Sequence, residues 1–223
     1  MLELATPKIK KDLSLKINEI FYSIQGESNS SGYPTLFIRL TGCPLRCNYC
    51  DTSYAFSEGK MMSISDILAA GQIYKPSFIT VTGGEPLAQR NCLELLKLLC
   101  DKYENVSLET SGAISTRDVD CRVRKIIDIK TPDSGEEKKN YLKNLNYLQD
   151  KDELKFVICS KSDFLWSVDF LKKFNIDLSQ VTFSPSHEQI NIKELAELML
   201  EFNVKVKLQS QLHKIIWGNV PGK

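Results

Sequence analysis

The chain predicts an α/β architecture: an open, partial (βα) barrel of about six parallel strands with N- and C-terminal extensions. Three observations carry this. Short β-branched, apolar runs alternate with helical patterns, the mark of parallel strands joined by crossover helices. The length of 223 residues falls short of a complete eight-stranded barrel, which takes about 250. Finally, polar motifs follow the C-terminal ends of several predicted strands, the face where ligand sites of such folds collect.

Taken in order, a leading segment over 16–22 precedes a strand at 35–40 and a cysteine-bearing loop. A helix at 64–73 leads to a strand at 78–81, and a helix at 92–103 to strands at 106–108 and 126–129. The segment 134–152 is too polar and asparagine-rich for a barrel helix. A strand at 155–158, a helix at 164–174, a strand at 181–183, a helix at 192–202 and a strand at 204–208 complete the pattern. No repeat or low-complexity linker interrupts it, so residues 1–223 read as one domain. Cys92, Cys100, Cys121 and Cys159 fall at apolar positions, where free cysteine packs as a small hydrophobe.

Hydrophobic residues make up 42% of the chain and charged ones 26%. Twenty-nine basic residues against twenty-eight acidic give a net charge of +1, which supplies no field to hold nucleic acid. Lys8, Lys10, Lys11 and Lys16 read as a solvated end. Neither a signal peptide nor a membrane-length apolar run is seen, so a cytoplasmic protein is expected.

Cys43, Cys47 and Cys50 stand in Gly42-Cys-Pro-Leu-Arg-Cys-Asn-Tyr-Cys-Asp-Thr52, a C-x3-C-x2-C spacing with no fourth cysteine close by. Electron-transfer clusters normally use four thiolates; three hold a cluster and leave one iron open for chemistry. A zinc-stabilised binding module is the alternative from another class, but its fourth ligand would have to come from the distant His187 or His213. Further on, Gly83 and Gly84 in Thr82-Gly-Gly-Glu-Pro86 remove side chains where backbone must approach a ligand, and Glu85 adds an acceptor for an ammonium group. The loop and this motif together resemble the radical S-adenosylmethionine (SAM) enzymes. That resemblance implies a 4Fe-4S cluster whose open iron chelates SAM, an electron donor such as flavodoxin or ferredoxin, and cleavage of SAM to a 5′-deoxyadenosyl radical.

Within that superfamily, Gln25-Gly-Glu27, Arg39, Cys50-Asp-Thr52, the Gly-Gly-Glu-Pro motif and Gln211-Leu-His-Lys-Ile-Ile-Trp-Gly218 occur in the order of the 7-carboxy-7-deazaguanine synthases. The resemblance spans almost the whole chain. It implies conversion of 6-carboxy-5,6,7,8-tetrahydropterin to 7-carboxy-7-deazaguanine with loss of ammonia, in queuosine or other deazapurine synthesis, by a homodimer. By the same resemblance Gln25, Gly26, Glu27, Arg39, Thr82 and His213 face the carboxypterin, and the terminal carboxylate approaches it. Tyr49, Asp51, Gly83, Gly84, Glu85, Glu109, Ser111, Asp128, Ile129, Lys130, Ser184, Pro185, Ser186 and His187 lie toward SAM. Asp128-Ile129 departs from the Ser-Pro often found there. Thr52 would ligate Mg2+, a cation that takes hard oxygens and keeps several waters. A glycyl-radical-enzyme activase shares the short cysteine loop but has no use for a pterin-reading set.

Overall fold

The computed structural model describes residues 13–187, 189–218, 220 and 222. A nine-stranded sheet organises them: β1 (Ser14–Ile24), β2 (Pro34–Leu40), β3 (Lys60–Ser63), β4 (Phe78–Gly83), β5 (Asn105–Thr110), β6 (Arg124–Ile129), β7 (Glu153–Ile158), β8 (Val181–Pro185) and β9 (Lys207–Leu208). The order is β3-β1-β2-β4-β5-β6-β7-β8-β9. From β2 onward every pairing is parallel, whereas β1 runs antiparallel to β2 and to β3. The helices are α1 (Ile64–Gln72), α2 (Cys92–Cys100), α3 (Lys161–Phe174), α4 (Ile192–Glu201) and α5 (Leu212–Trp217).

Alternation along the parallel strands divides the chemistry of the two faces. Ile79, Val81, Val106 and Leu108 point outward into a core with α1 and α2, and Ile127, Ile129, Leu154, Phe156, Ile158, Val181 and Phe183 into another with α3 and α4. The intervening positions turn inward and are mostly polar: Thr82, Glu109, Asp128, Lys155, Thr182 and Ser184, beside Ile126 and Val157. The strands are therefore covered on one face by apolar helices and on the other enclose a polar cavity.

α1, α3 and α4 begin on side-chain caps. The Ser63 hydroxyl accepts from the Asp66 amide at 3.1 Å, Ser160 from Asp163 at 3.2 Å, and Asn191 from Lys193 at 2.8 Å. Such a cap is worth about 0.5–2 kcal/mol. Between β5 and β6 there is no helix, and the polar segment before β7 forms short 3-10 turns, including Leu142–Tyr147. Of the cysteines expected in the core, Cys92 and Cys159 are buried and Cys100 is half-buried. Cys121 is a correction: it is exposed on the turn before β6, beyond the reach of either core. The strand expected over 204–208 shortens to β9. Lys16 lies on β1 with its ammonium on the Ser57 carbonyl at 2.6 Å; Lys8, Lys10 and Lys11 lie outside the described residues. Among the described residues no helix is long and apolar enough to cross a membrane.

Candidate active site

The inward polar rows open at the C-terminal ends of the strands into a cavity of about 270 Å³. The cysteine loop between β2 and β3 forms one wall, bringing Cys43, Cys47, Tyr49, Cys50, Asp51 and Thr52 to the cavity. Backbone bonds hold this loop: the Glu85 amide donates to Gly42 O at 2.7 Å, and the Asn48 amide to Ser134 O at 3.0 Å. Its close contact with the Gly-Gly-Glu-Pro turn explains Gly84, where a Cβ would lie 2.5 Å from Gly42 O and 2.7 Å from Cys43 Cβ. The glycine that sequence reasoning assigned to ligand approach is thus required by the approach of the cysteine loop.

All three loop cysteines are free thiols and half-buried. Burial pushes the Cys47 thiol up to about 11 and raises Cys43 as well, while the Lys130 ammonium opposes both shifts. Among the described residues no three His, Cys, Asp or Glu side chains converge on a point that would hold a single metal ion. Three thiols spread along one wall suit a cluster, in which each thiolate binds its own iron, better than a tetrahedral zinc.

Beside the thiols, Lys130 pairs with Asp128 at 2.8 Å and stands 5.6 Å from the Tyr49 ring centroid. Burial works against its charge, but Asp128 and the neighbouring sulfurs outweigh this and hold it above the ordinary lysine value. Tyr49 is raised too, by burial first and Asp128 second. Ser184, Pro185, Ser186 and His187 complete this side.

At the other end, the turn after β1 carries Gln25, Gly26 and Glu27 into the cavity. Gln25 donates to Thr80 and to Glu109, each at 3.2 Å, and the Thr82 hydroxyl donates to Glu109 at 3.0 Å. Burial, then the nearby Glu27, raises the Glu109 carboxyl above the usual range. Glu27 pairs with Lys155 at 2.7 Å. Arg39 binds Glu19 through Nε at 2.7 Å, one of its five donors, and the Tyr54 hydroxyl donates to the same carboxylate oxygen at 2.9 Å. α5 closes the corner. Its Leu212 amide donates to Gly26 O at 3.0 Å, and a Cβ on Gly26 would sit 1.9 Å from His213 Nδ1. Burial lowers His213, which favours the neutral imidazole. Lys214 reaches back to Asp51 at 3.0 Å; burial would raise that half-exposed carboxyl, but the lysine and the Thr52 hydroxyl hold it down at about 2.

Polar atoms around the cavity, Glu27 Oε1, Tyr49 Oη, Asp128 Oδ1 and Ser186 Oγ, are buried without a hydrogen-bond partner among the described residues. Buried polar groups are nearly always paired, so these atoms fit a bound polar ligand. Two residues expected at the site turn elsewhere. Ile129 alternates to the outer face and packs in the core. Glu85 is fully buried, with its carboxylate bonded to Thr110, Ser111 and the Leu87 amide, so it ties the end of β4 to the end of β5. Every other expected site residue lines the cavity, Ser111 included; the terminal carboxylate, on Lys223, lies outside the described residues. Sequence reasoning passed over Lys155, Lys214 and Glu19. The signal for Lys155 was a charge inside the apolar run Leu154-Lys-Phe-Val-Ile158, as for Asp128 one strand earlier.

Comparison with known proteins agrees with this geometry. The family model described as Radical SAM superfamily matches residues 37–175. A 7-carboxy-7-deazaguanine synthase of Chlorobaculum tepidum is 42% identical over 92% of this chain and 94% of its own. That of Thermoplasma acidophilum is 39% identical over 92% and 99%. The crystal structure of QueE from Escherichia coli shares the fold, with a TM-score of 0.73 and 24% identity over 90% of this chain and 95% of that one. Neither the activase nor the zinc-module alternative finds support among these relatives. The cluster-type thiol loop, the strand-end motifs and these matches together place the chain in the radical SAM superfamily, among the 7-carboxy-7-deazaguanine synthases.

Proposed function

We propose that this protein converts 6-carboxy-5,6,7,8-tetrahydropterin to 7-carboxy-7-deazaguanine with release of ammonia, supplying queuosine or a related deazapurine. The observation that carries the reading is the two-ended cavity, with free thiols at one end and the Gln25, Glu27, Arg39 and His213 corner at the other. When bound, a 4Fe-4S cluster with SAM supplies the radical that starts such a reaction. Cys43, Cys47 and Cys50 are the residues that would hold the cluster. Tyr49, Asp128, Lys130 and the Ser184–Pro185–Ser186–His187 end of β8 would bind SAM.

At the substrate end, Gln25 and Glu27 offer hydrogen-bonding groups to a pterin edge, and the Arg39 guanidinium matches a carboxylate. Neutral His213 can donate or accept against the ring. The Thr52 hydroxyl, beside the Asp51 carboxylate at 2.8 Å, offers hard oxygen for a Mg2+ that also meets the substrate carboxylate. A flavodoxin or ferredoxin as electron donor, a homodimer, a cytoplasmic setting and no nucleic-acid partner complete the proposal. The test is anaerobic incubation of reconstituted full-length protein with SAM, reductant and the carboxypterin, followed by mass spectrometry. Wild type should yield the deazaguanine; Cys47→Ala should yield neither product nor SAM cleavage, and Cys92→Ala should retain both. SAM cleavage without the deazaguanine would overturn the substrate assignment.

A further inference from the structure

Lys155 lies mid-strand on β7, its side chain about 15% exposed, with its ammonium 2.7 Å from Glu27 Oε2. The other carboxylate oxygen, Oε1, is buried in the cavity wall with no hydrogen-bond partner among the described residues. Glu109 stands close by, its two oxygens engaged by Gln25 and Thr82. One ammonium therefore serves a corner that holds two carboxyl groups. Remove it, and two acids in a desolvated corner compete, so that one of them takes up a proton. Without the ammonium, Glu27 Oε2 also loses the bond that fixes the direction of Oε1.

We propose that Lys155 is the positioning residue of the substrate corner: it clamps Glu27 Oε2 so that Oε1 faces the adjacent N–H donors of a planar heterocycle as an acceptor. The charged and titratable groups facing Lys155 are Glu27 after β1, Asp51 of the cysteine loop, Glu109 on β5, Asp128 on β6, Glu153 on its own strand and His213 on α5. Glu27 is the group its ammonium bonds. The inference rests on the carboxypterin reading and adds a residue that does not itself need to touch the substrate.

The experiment is a double-mutant cycle read by calorimetric binding of the carboxypterin to reconstituted, SAM-loaded protein. Glu27→Gln and Lys155→Met should each weaken binding by about ten- to a hundred-fold. The double variant should lose no more than either single one, because both act through one oxygen. Losses that multiply in the double variant, or unchanged affinity in Lys155→Met, would overturn the proposal. Should Lys155→Met fail to fold with its partner charge left buried, the double variant removes both charges, and its affinity is compared with that of Glu27→Gln alone. Equality supports the inference; a further ten-fold loss overturns it. A wild type that cleaves SAM but does not bind the carboxypterin overturns the substrate reading and, with it, this inference, whereas failure confined to the cycle overturns Lys155 alone.

Discussion

Thr52 precedes the 3-10 turn Ser53–Phe56 in the position of an N-cap, yet its side chain makes no capping bond. The hydroxyl donates instead to Asp51 Oδ1 at 2.8 Å, on the cavity side of the loop. Removing a working cap would cost about 0.5–2 kcal/mol; with no cap present, Thr52→Ala should melt close to wild type. If the hydroxyl ligates Mg2+, the same variant should need more magnesium for turnover while retaining its iron, and Thr52→Ser should behave as wild type. A magnesium titration of turnover beside the melting curves checks this, and an unshifted titration in Thr52→Ala would remove the metal from Thr52.

At the level of elements, the junction between the β1 turn and α5 controls the substrate corner. The packing of His213 on the bare Cα of Gly26 leaves no space for a methyl group. Gly26→Ala should therefore displace α5 and weaken carboxypterin binding at least about ten-fold, a loss of roughly 1.4 kcal/mol. Iron content and uncoupled SAM cleavage should persist, since the cysteine loop is tied mainly to Gly84-Glu85 and to the turn after β6. Equal loss of iron would show that α5 supports the whole site. Much of this architecture was legible beforehand: the strands β2 and β4 to β8, and the helices α1 to α4, carry strong periodic signals. The antiparallel β1–β3 pair and α5 were not, because β3 has four residues and α5 six, too few for a period to register. Within the site, residues in motifs were legible from their neighbours in sequence, whereas Lys155 and Glu19 acquire meaning only when strand pairing brings partners to them. Ile129 was misplaced because a motif run ignores strand alternation, which sends every second side chain outward.

Across the whole molecule, the sheet is open, and polar side chains span what strand pairing leaves unclosed. Gln209, just past β9, accepts from the Ser28 amide at 2.7 Å and donates to the Ser28 carbonyl at 2.9 Å. Lys207 adds a bond to the same carbonyl at 3.0 Å, and Glu153 accepts from the Asn29 amide at 2.8 Å. Ser28 itself is held at a φ of 64°. Gln209→Ala leaves the buried Ser28 amide unpaired, at about 1–3 kcal/mol, while Lys207 still holds the Ser28 carbonyl. Amides of residues 25–32 should then exchange faster while those of β4 to β7 keep their protection, and carboxypterin binding should weaken. Uniform loss of protection across all strands would instead mean that this closure holds the entire sheet.

The closure between Ser28 and Gln209 joins positions 181 residues apart in the chain. A chain is made from its N-terminus, and local contacts form ahead of distant ones. The cysteine loop and the Gly-Gly-Glu-Pro turn are within reach of each other early in synthesis, but the turn after β1, which meets Thr80, Glu109 and Lys155 first, is not closed over Ser28 and Gly26 until residues 207–213 leave the ribosome. A nascent or prematurely terminated chain can therefore possess the thiol wall before it possesses a substrate corner. The segment around Gln209 and His213 is thus the last part of the cavity wall to be made, and it completes the enclosure of the substrate corner.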